Sequence, residues 1–400
     1  MSNAQRTGPL EDLTIIDCTM AYAGPFGTQL LADLGANVIK VEPPRGDGFR
    51  MVAPFPPDYE HAYKNTGAGA DFGMSFAGVN RNKRSISLDL KNPDDREALL
   101  TLCEQADAIV ENMRAGVMDS LDLSYETIAL RNPKIVYGAV RGYGDPRTGA
   151  SPYADWPCLD PVGQSVGGLV EATGGKWDLA IADIYPGTLM ALGLLAAVHR
   201  AKATGRGEFF DVAMYDAAMT LLKSQVASYG VTGKSPSPGS TALVPFGLFP
   251  TTDGQIAIAA PVERHWRDLC KAMGQESLIE DERTRSNPKR VANREFTNTQ
   301  ISEWTRDKTK AEITALLGGA VPCGPANRIE DLFSDPHVAA RGMLESAQLP
   351  GDNPAISFAA NPIKFSESKT SLYQRPPKLN EHGDEICKEF GIKRAADKLA

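Results

Sequence analysis

The sequence predicts an α/β protein built on a parallel sheet, with a second and smaller domain. Three observations predict it. A strand–helix–strand run opens the chain, that pattern recurs as far as Gly144, and the composition changes after Gly230. Leu13 to Asp17 (LTIID) is a short apolar run closed by a polar residue, and a Gly/Pro break (AYAGPFG, 21–27) follows it. TQLLADLG then places apolar residues at helical spacing and stops at Gly35, and ANVIKVEPP reads as a buried strand closed by Pro43 and Pro44. Strand, helix and strand in this order form a βαβ unit, which requires a parallel sheet.

The later elements follow the same logic. Arg84 to Leu90 reads as a strand, and Pro93 to Gln105 as a helix with acidic residues in its first turn. ADAIVENM (106–113) and KIVYGAVRGYG (134–144) read as further strands. The stretch 52–78, rich in Pro, Gly and aromatics, reads as a surface loop. A long helix is predicted from Tyr185 to about Ala203, ended by Gly205, and a second from about Val212 to Tyr229. After Gly230, VTGKSPSPGST is a hinge or lid, and PFGLFPTTDGQIAIAA is a hairpin turning at Asp253-Gly254. Helices are expected up to about Leu317, and the last 60 residues mix turns with one short strand and a final helix.

Composition narrows the function. With 400 residues, 42% of them hydrophobic, the chain buries a large core without disulfides or metal. A net charge of −8 argues against a dedicated nucleic-acid binder. The six cysteines at 18, 103, 158, 270, 323 and 387 form no CxxC pair, so they read as reduced thiols of a cytoplasmic protein. The first residues lack an apolar signal core, and the longest apolar run, Thr188 to Val198, falls short of a membrane span. The five histidines are scattered without a ligand spacing, so no metal site is expected.

Few residues stand out as chemistry. In IADIYPG (181–187), Asp183 precedes a long helix with Pro186 in its first turn. The positive helix end and free backbone N–H groups there would keep a carboxylate ionised and nucleophilic, and could hold an oxyanion. The same pattern also fits a plain helix cap. The turn AYAGPFG opens a helix after the first strand, as a phosphate-binding turn does, but it holds only Gly24 and Gly27 of the dinucleotide fingerprint, with Glu42 at the ribose-binding place. In NRNKRS, Arg81, Lys83 and Arg84 could bind the phosphates of a nucleotide-like cofactor or form a solvated basic turn.

Together these blocks resemble family III CoA-transferases, the group that includes formyl-CoA transferase and carnitine CoA-transferase. The resemblance runs in order through GPLEDLTIIDCTMAYAGPFGTQLLADLGANVIKVEPPRGD, NRNKRSISLDLK, ADAIVENMRAGVMDSLDLSYE, NPKIVYGAVRGYG, SPYADWPCLDPVGQSVGGL and IADIYPGTLMALGLLAAVHRAKATGRGEFFDVAM. It continues in VPFGLFPTTDGQIAIA, RHWRDLC, DPHVAARGML and PPKLNEHGDEI. It implies a Rossmann-like large domain at 1–225, a smaller α+β domain at 226–335 and a return segment at 336–400 that completes the large domain. It also implies an interlocked, ring-like homodimer.

The resemblance further implies that Asp183 attacks an acyl-CoA thioester and passes through a mixed anhydride and an aspartyl-CoA thioester, after which a carboxylic acid takes the CoA. CoA is then a substrate, with no permanently bound cofactor and no nucleic-acid or membrane partner. Its contacts fall on Ala21, Tyr22, Ala23, Arg84, Asn112 and Met113, with Leu159 and Asp160 beside them.

The chain departs from formyl-CoA transferase at Met20 and Tyr22, where that enzyme has His and Gln, and at Pro43, where it has Arg. Its lid, SPSPGST (235–241), holds one glycine. These differences argue against formyl-CoA and oxalate as substrates. An acyl-CoA racemase of the same fold, or an intramolecular transferase, is the alternative. A racemase needs a His where this chain has Leu159, which cannot exchange protons. A noncatalytic CoA-binding protein is disfavoured by the intact IADIYPG block.

Overall fold

The structure is a computed structural model and describes residues 6–56, 72–235, 237, 242–350 and 353–392. The chain forms two compact units, Met1–Pro236 with Ala340–Ala400, and Ser237–Ala339. Most of the expected loop 52–78 and of the lid 235–241 lies outside the described residues.

The first unit is organised by a six-stranded sheet. Its strands are β1 (Thr14–Cys18), β2 (Asn37–Glu42), β3 (Lys83–Ser87), β4 (Ala108–Glu111), β5 (Val136–Arg141) and β6 (Phe209–Ala213), in the order β3-β2-β1-β4-β5-β6. Every pairing is parallel. This is the order of a doubly wound nucleotide-binding sheet. Its crossover lies between β1 and β4, and ligands of such sheets bind at the carboxyl ends of the strands there.

The helices in chain order are α1 (Ala23–Asp33), α2 (Met74–Asn80), α3 (Pro93–Glu104), α4 (Val117–Ser120), α5 (Tyr125–Arg131), α6 (Asp160–Val166), α7 (Leu169–Thr173), α8 (Ile181–Thr204), α9 (Met214–Thr220) and α10 (Lys223–Thr232). Successive strand residues supply opposite faces. Ile16, Ile39 and Ile109 pack with Leu99 and Leu102 of α3, Ile128 of α5, and Ile386 and Phe390 near the C-terminus. Ile15, Val38 and Val110 pack on the other face with Leu31 of α1 and with Met190 and Leu194 of α8.

Two elements differ from expectation. The helix expected from Val212 begins two residues later, because Phe209–Ala213 pairs as β6. Gly207 leads into that strand, and a Cβ there would lie 1.8 Å from Ile135 O, so only glycine lets the chain come alongside β5. The long helix α8 begins at Ile181 rather than Tyr185, which places Pro186 inside it and Asp183 in its first turn. By length and composition α8 could cross a membrane. Here its face of Met190, Leu194 and Val198 is buried in the core.

Helices α1 and α8 meet backbone to backbone. A Cβ on Gly187 would lie 2.3 Å from Ala23 O, and one on Gly27 would lie 2.3 Å from Gly187 O. The glycine pair therefore sets how closely the start of α8 approaches the start of α1.

The second unit holds the antiparallel sheet β7 (Phe246–Thr251), β8 (Gly254–Ala259) and β9 (Cys323–Pro325), in that order. The hairpin closes through Thr252 and Asp253, with Thr251 paired to Gly254. Its core centres on Trp266 of α11 (Glu263–Met273), packed with Ile256, Ile258, Ile301 and Ile313. A two-stranded ribbon, Leu344–Ala347 with Ile356–Ala359, and the last described helix, Gly383–Phe390, belong to the first unit. The single short strand expected in this region is thus a pair.

Gly187→Ala is expected to force α1 and α8 apart and lower stability by about 1–3 kcal/mol, as overpacking does. Urea unfolding of the variant against wild type measures it.

Candidate active site

The crevice at the sheet crossover is floored by the turn Thr19–Tyr22 after β1 and by Asn112 after β4. Asn112 holds the two together: its Oδ1 accepts Met20 N–H at 2.8 Å, and its Nδ2 donates to Met20 O at 2.7 Å. The rest of the turn is gripped as firmly. Asp17 accepts Thr19 N–H at 3.0 Å, Lys40 Nζ donates to Thr19 O at 2.8 Å, and Ala21 N–H lies 3.1 Å from both oxygens of Asp47. Met113 is fixed beside it, its N–H donating to Glu111 at 2.6 Å and its carbonyl accepting from Arg141 at 2.6 Å. Burial pushes the Glu111 carboxyl up to about 7 despite Arg141.

Asp183 faces this turn from α8. The α1–α8 contact one turn further on brings its carboxylate into the field of Tyr22, whose hydroxyl is pushed up by burial and by Asp183. The Tyr22 ring stacks on Phe26 with centroids 6.3 Å apart and lies 6.2 Å from Phe49. Asp183 is half-buried, and among the described residues its carboxylate accepts no side-chain hydrogen bond. Burial first, and then the neighbouring Asp160 charge, push it up to about 7.

The expectation that the helix end would simply keep this carboxylate ionised is therefore corrected. The expected free N–H groups are also engaged. Ile181 donates to Leu179 O, Asp183 and Ile184 donate to Ala180 O, and Ala182 donates to Asp160 Oδ1 at 2.9 Å. No donor of α8's first turn is left to hold an oxyanion. Asp160 is itself fixed by Gln164 Nε2, 2.8 Å from its other oxygen. Cys158 lies nearby, its thiol pushed up to about 11 by burial, Asp183 and Asp160.

A cavity of 320 Å³ opens at the carboxyl ends of β1 to β4. Met20, Pro43, Leu88, Leu90, Met113 and Leu121 line it, with Lys91 at its edge. Of its lining, the sequence reading named Met113 as a CoA contact and Met20 and Pro43 as departures from formyl-CoA transferase, but not Leu88, Leu90 or Leu121. It ran the third strand on to Leu90, whereas β3 ends at Ser87 and Leu88 to Lys91 turn away to line the cavity.

Of the residues singled out from sequence, Tyr22 and Asp160 come together with Asp183. Ala21, Ala23, Asn112 and Met113 come together at the crossover. Leu159 precedes α6 with its side chain 68% exposed.

The basic run is another matter. Arg84 Nη1 pairs with Glu389 at 2.5 Å and Glu385 at 3.1 Å, and Nη2 donates to Asn37 at the start of β2. It therefore sits toward the amino end of the strands, away from the crevice. Arg81 pairs with Asp33 at 2.6 Å, and Lys83, fully buried, pairs with Asp17 at 2.9 Å. The run is not a phosphate patch, because Arg81 and Lys83 neutralise the interior carboxylates Asp33 and Asp17, and Arg84 pairs with the exposed carboxylates Glu385 and Glu389. Glu42 likewise pairs with Arg50 at 2.7 Å, and Gly24 packs on Thr19, so the dinucleotide reading has no support.

A doubly wound parallel sheet with a half-buried carboxylate near its crossover is an architecture that many nucleotide-binding enzymes share. The chain matches the profile of CoA-transferase family III over residues 10–383, and it belongs to that family. It is 40% identical over 394 residues to a succinyl-CoA:mesaconate CoA-transferase of Haloarcula hispanica, covering 96% of this chain and 97% of the relative. It is 33% identical to a succinate–glutarate CoA-transferase of Agrobacterium fabrum, covering 96% of each. The crystal structure of a CaiB/BaiF family protein from Brucella suis aligns with a TM-score of 0.83 at 32% identity, covering 96% of this chain and 100% of that one. The protein is a CoA-transferase, moving CoA between an acyl-CoA and an acid.

A carboxyl raised above its ordinary value of 3.8 destabilises the folded state once ionised, so stability falls as pH climbs from that value through about 7. Asp183→Asn is expected to raise the thermal midpoint at pH 8, with a gain that shrinks toward zero near pH 4. Calorimetric melts of both proteins across this range check it.

Proposed function

We propose that the protein transfers CoA from succinyl-CoA, or a close dicarboxylyl-CoA, to a short dicarboxylic acid, with Asp183 as covalent carrier. The substrate class rests on the names of the relatives, which act on succinate, mesaconate and glutarate. The observation that carries the role of Asp183 is its half-buried carboxylate, without a side-chain hydrogen-bond partner among the described residues and turned to the Tyr22 turn.

In this reading the nucleotide end of CoA occupies the 320 Å³ cavity, with Lys91 at its edge toward the phosphates. The pantetheine arm passes Met20 and ends at Asp183. The Asp183 oxygen attacks the thioester carbonyl and expels CoA thiolate, giving a mixed anhydride. The thiolate attacks the aspartyl carbonyl and releases the donor acid, leaving an aspartyl-CoA thioester. The acceptor carboxylate then attacks that thioester, and the returning thiolate takes the acceptor acyl group and frees Asp183. Tyr22, held in its protonated form at neutral pH, donates a hydrogen bond to the oxygen that gains charge.

The interlocked homodimer belongs to the same proposal. It is supported by α10, which has no buried residue yet carries Val226, Tyr229 and Val231 at 44%, 56% and 88% exposure. A monomeric mass in light scattering would contradict it.

Two tests address the chemistry. Asp183→Ala is expected to bind acyl-CoA in titration calorimetry and to lose transfer by at least about 10³-fold; turnover near wild type refutes the carrier role. Attack needs the ionised carboxylate, so kcat/KM is expected to rise with pH through about 7. In Asp160→Asn one cause of the raised value is gone, and the midpoint is expected to move to lower pH.

A further inference from the structure

The Thr19–Tyr22 turn lines the cavity through Met20 and faces the Asp183 carboxylate through Tyr22. Its shape is unusual. Ala21 sits at φ 65°, a left-handed conformation that a residue with a Cβ adopts only when its surroundings impose it. What imposes it is a buried ion pair that the transfer chemistry does not use. Lys40, wholly buried on β2, places Nζ 3.1 Å from Asp47 and 2.8 Å from Thr19 O. Asp47, equally buried, receives Ala21 N–H on both oxygens at 3.1 Å. The pair thus grips the turn on either side of Met20, whose own N–H and carbonyl are held by Asn112.

The charges around this pair fit a fixed device. Asp17 stands on the other side of Lys40, where burial is outweighed by Lys83 and Lys40 and its carboxyl is held down to about 2. Glu42 also faces Lys40, accepts Asp47 N–H at 3.0 Å and is clamped by Arg50. Asp47 also caps the short helix at Gly48–Met51 through Phe49 N–H, so one carboxylate ties that helix, Lys40 and the turn together.

We propose that Lys40 and Asp47 are positioning residues for CoA transfer. They hold Ala21 left-handed, and so set the offset between the cavity that takes one end of the substrate and the carboxylate that attacks the other. The inference rests on the reading of Asp183 as carrier. A misplacement of a fraction of an ångström at the reacting end lowers turnover while leaving the distant binding contacts intact.

The test is a set of variants with kcat and KM for acyl-CoA measured separately, each checked for folding by melts and circular dichroism. Asp47→Asn removes the charge that anchors Ala21 N–H and is expected to cut kcat by roughly 10- to 100-fold, with KM changed by less than about threefold. Adding Ala21→Gly frees the turn from its left-handed penalty, so Ala21→Gly/Asp47→Asn is expected to regain a good part of the lost kcat. A purely structural role for the ion pair predicts no such rescue. A folded Asp47→Asn with wild-type kcat, or a loss that Ala21→Gly leaves untouched, overturns the proposal. Ala21→Val leaves the buried pair intact and disfavours the left-handed form, so it decides the matter if Asp47→Asn does not fold. Its expected result is a folded protein with a reduced kcat and a melting point lowered only by the strain at residue 21, and wild-type kcat overturns the proposal. Asp183→Ala run alongside separates the two claims. If it is inactive while the turn variants behave as wild type, only the positioning role fails; if it is active, the carrier role fails.

Discussion

The contact between Gly27 and Gly187 is the constraint on which the site depends. It lets two helix backbones touch where any side chain would hold them apart, and each glycine faces the other helix's carbonyl. One turn before Gly187 stands Asp183, and one turn before Gly27 stands Tyr22. The approach of the helices therefore becomes the approach of a carboxylate to the turn that ends β1. With larger residues in these places the helices would be held apart, and with them Asp183 and Tyr22.

Around that contact the chain uses charge inside the core to fix backbone. Lys83 Nζ has oxygens of Asp17, Pro25, Thr28 and Asn80 within 2.9–3.0 Å for its three N–H donors, while Lys40 and Asp47 grip the turn beyond β1. Buried ion pairs contribute little net stability, since desolvation offsets the attraction. What they supply here is geometry: removing either partner leaves a buried charge, so the arrangement tolerates few alternatives. The half-buried Asp183 is the reverse case. It has no cation beside it among the groups that shift it, only burial and Asp160, so its charge is left uncompensated.

Much of this was legible in the sequence. The alternation of LTIID, TQLLADLG and ANVIKVEPP announced the opening βαβ unit, and the hairpin of the second unit was expected, although it turns at Thr252 and Asp253, one residue before the expected Asp253-Gly254. The family resemblance named Tyr22, Asn112, Met113 and Arg84 as CoA contacts, and the first three lie at the carboxyl ends of β1 and β4 while Arg84 does not. Other features depended on contacts distant in sequence. Asp160 lies 22 residues from the N–H it caps, and through it α8 begins before Pro186, which local sequence had placed in the first turn. Arg84 meets Glu389, 305 residues on, and no local pattern could show that its charge was already spent. The strand Phe209–Ala213 was missed because its apolar run continues directly into a helix, and only Gly207 pressed against Ile135 marks the place where the chain joins the sheet.

The central claim is that an oxygen of Asp183 becomes covalently bonded to each substrate acid in turn. It is tested most directly by running transfer with an acceptor dicarboxylic acid labelled with 18O in its carboxylates, then digesting the enzyme and weighing the peptide that contains residue 183. Attack of the labelled acid on the aspartyl thioester, followed by return of CoA to the acceptor, leaves one labelled oxygen on Asp183, so that peptide is predicted to gain one heavy oxygen in the first turnover and to approach two over the next few. Complete turnover with no label in that peptide would contradict the account.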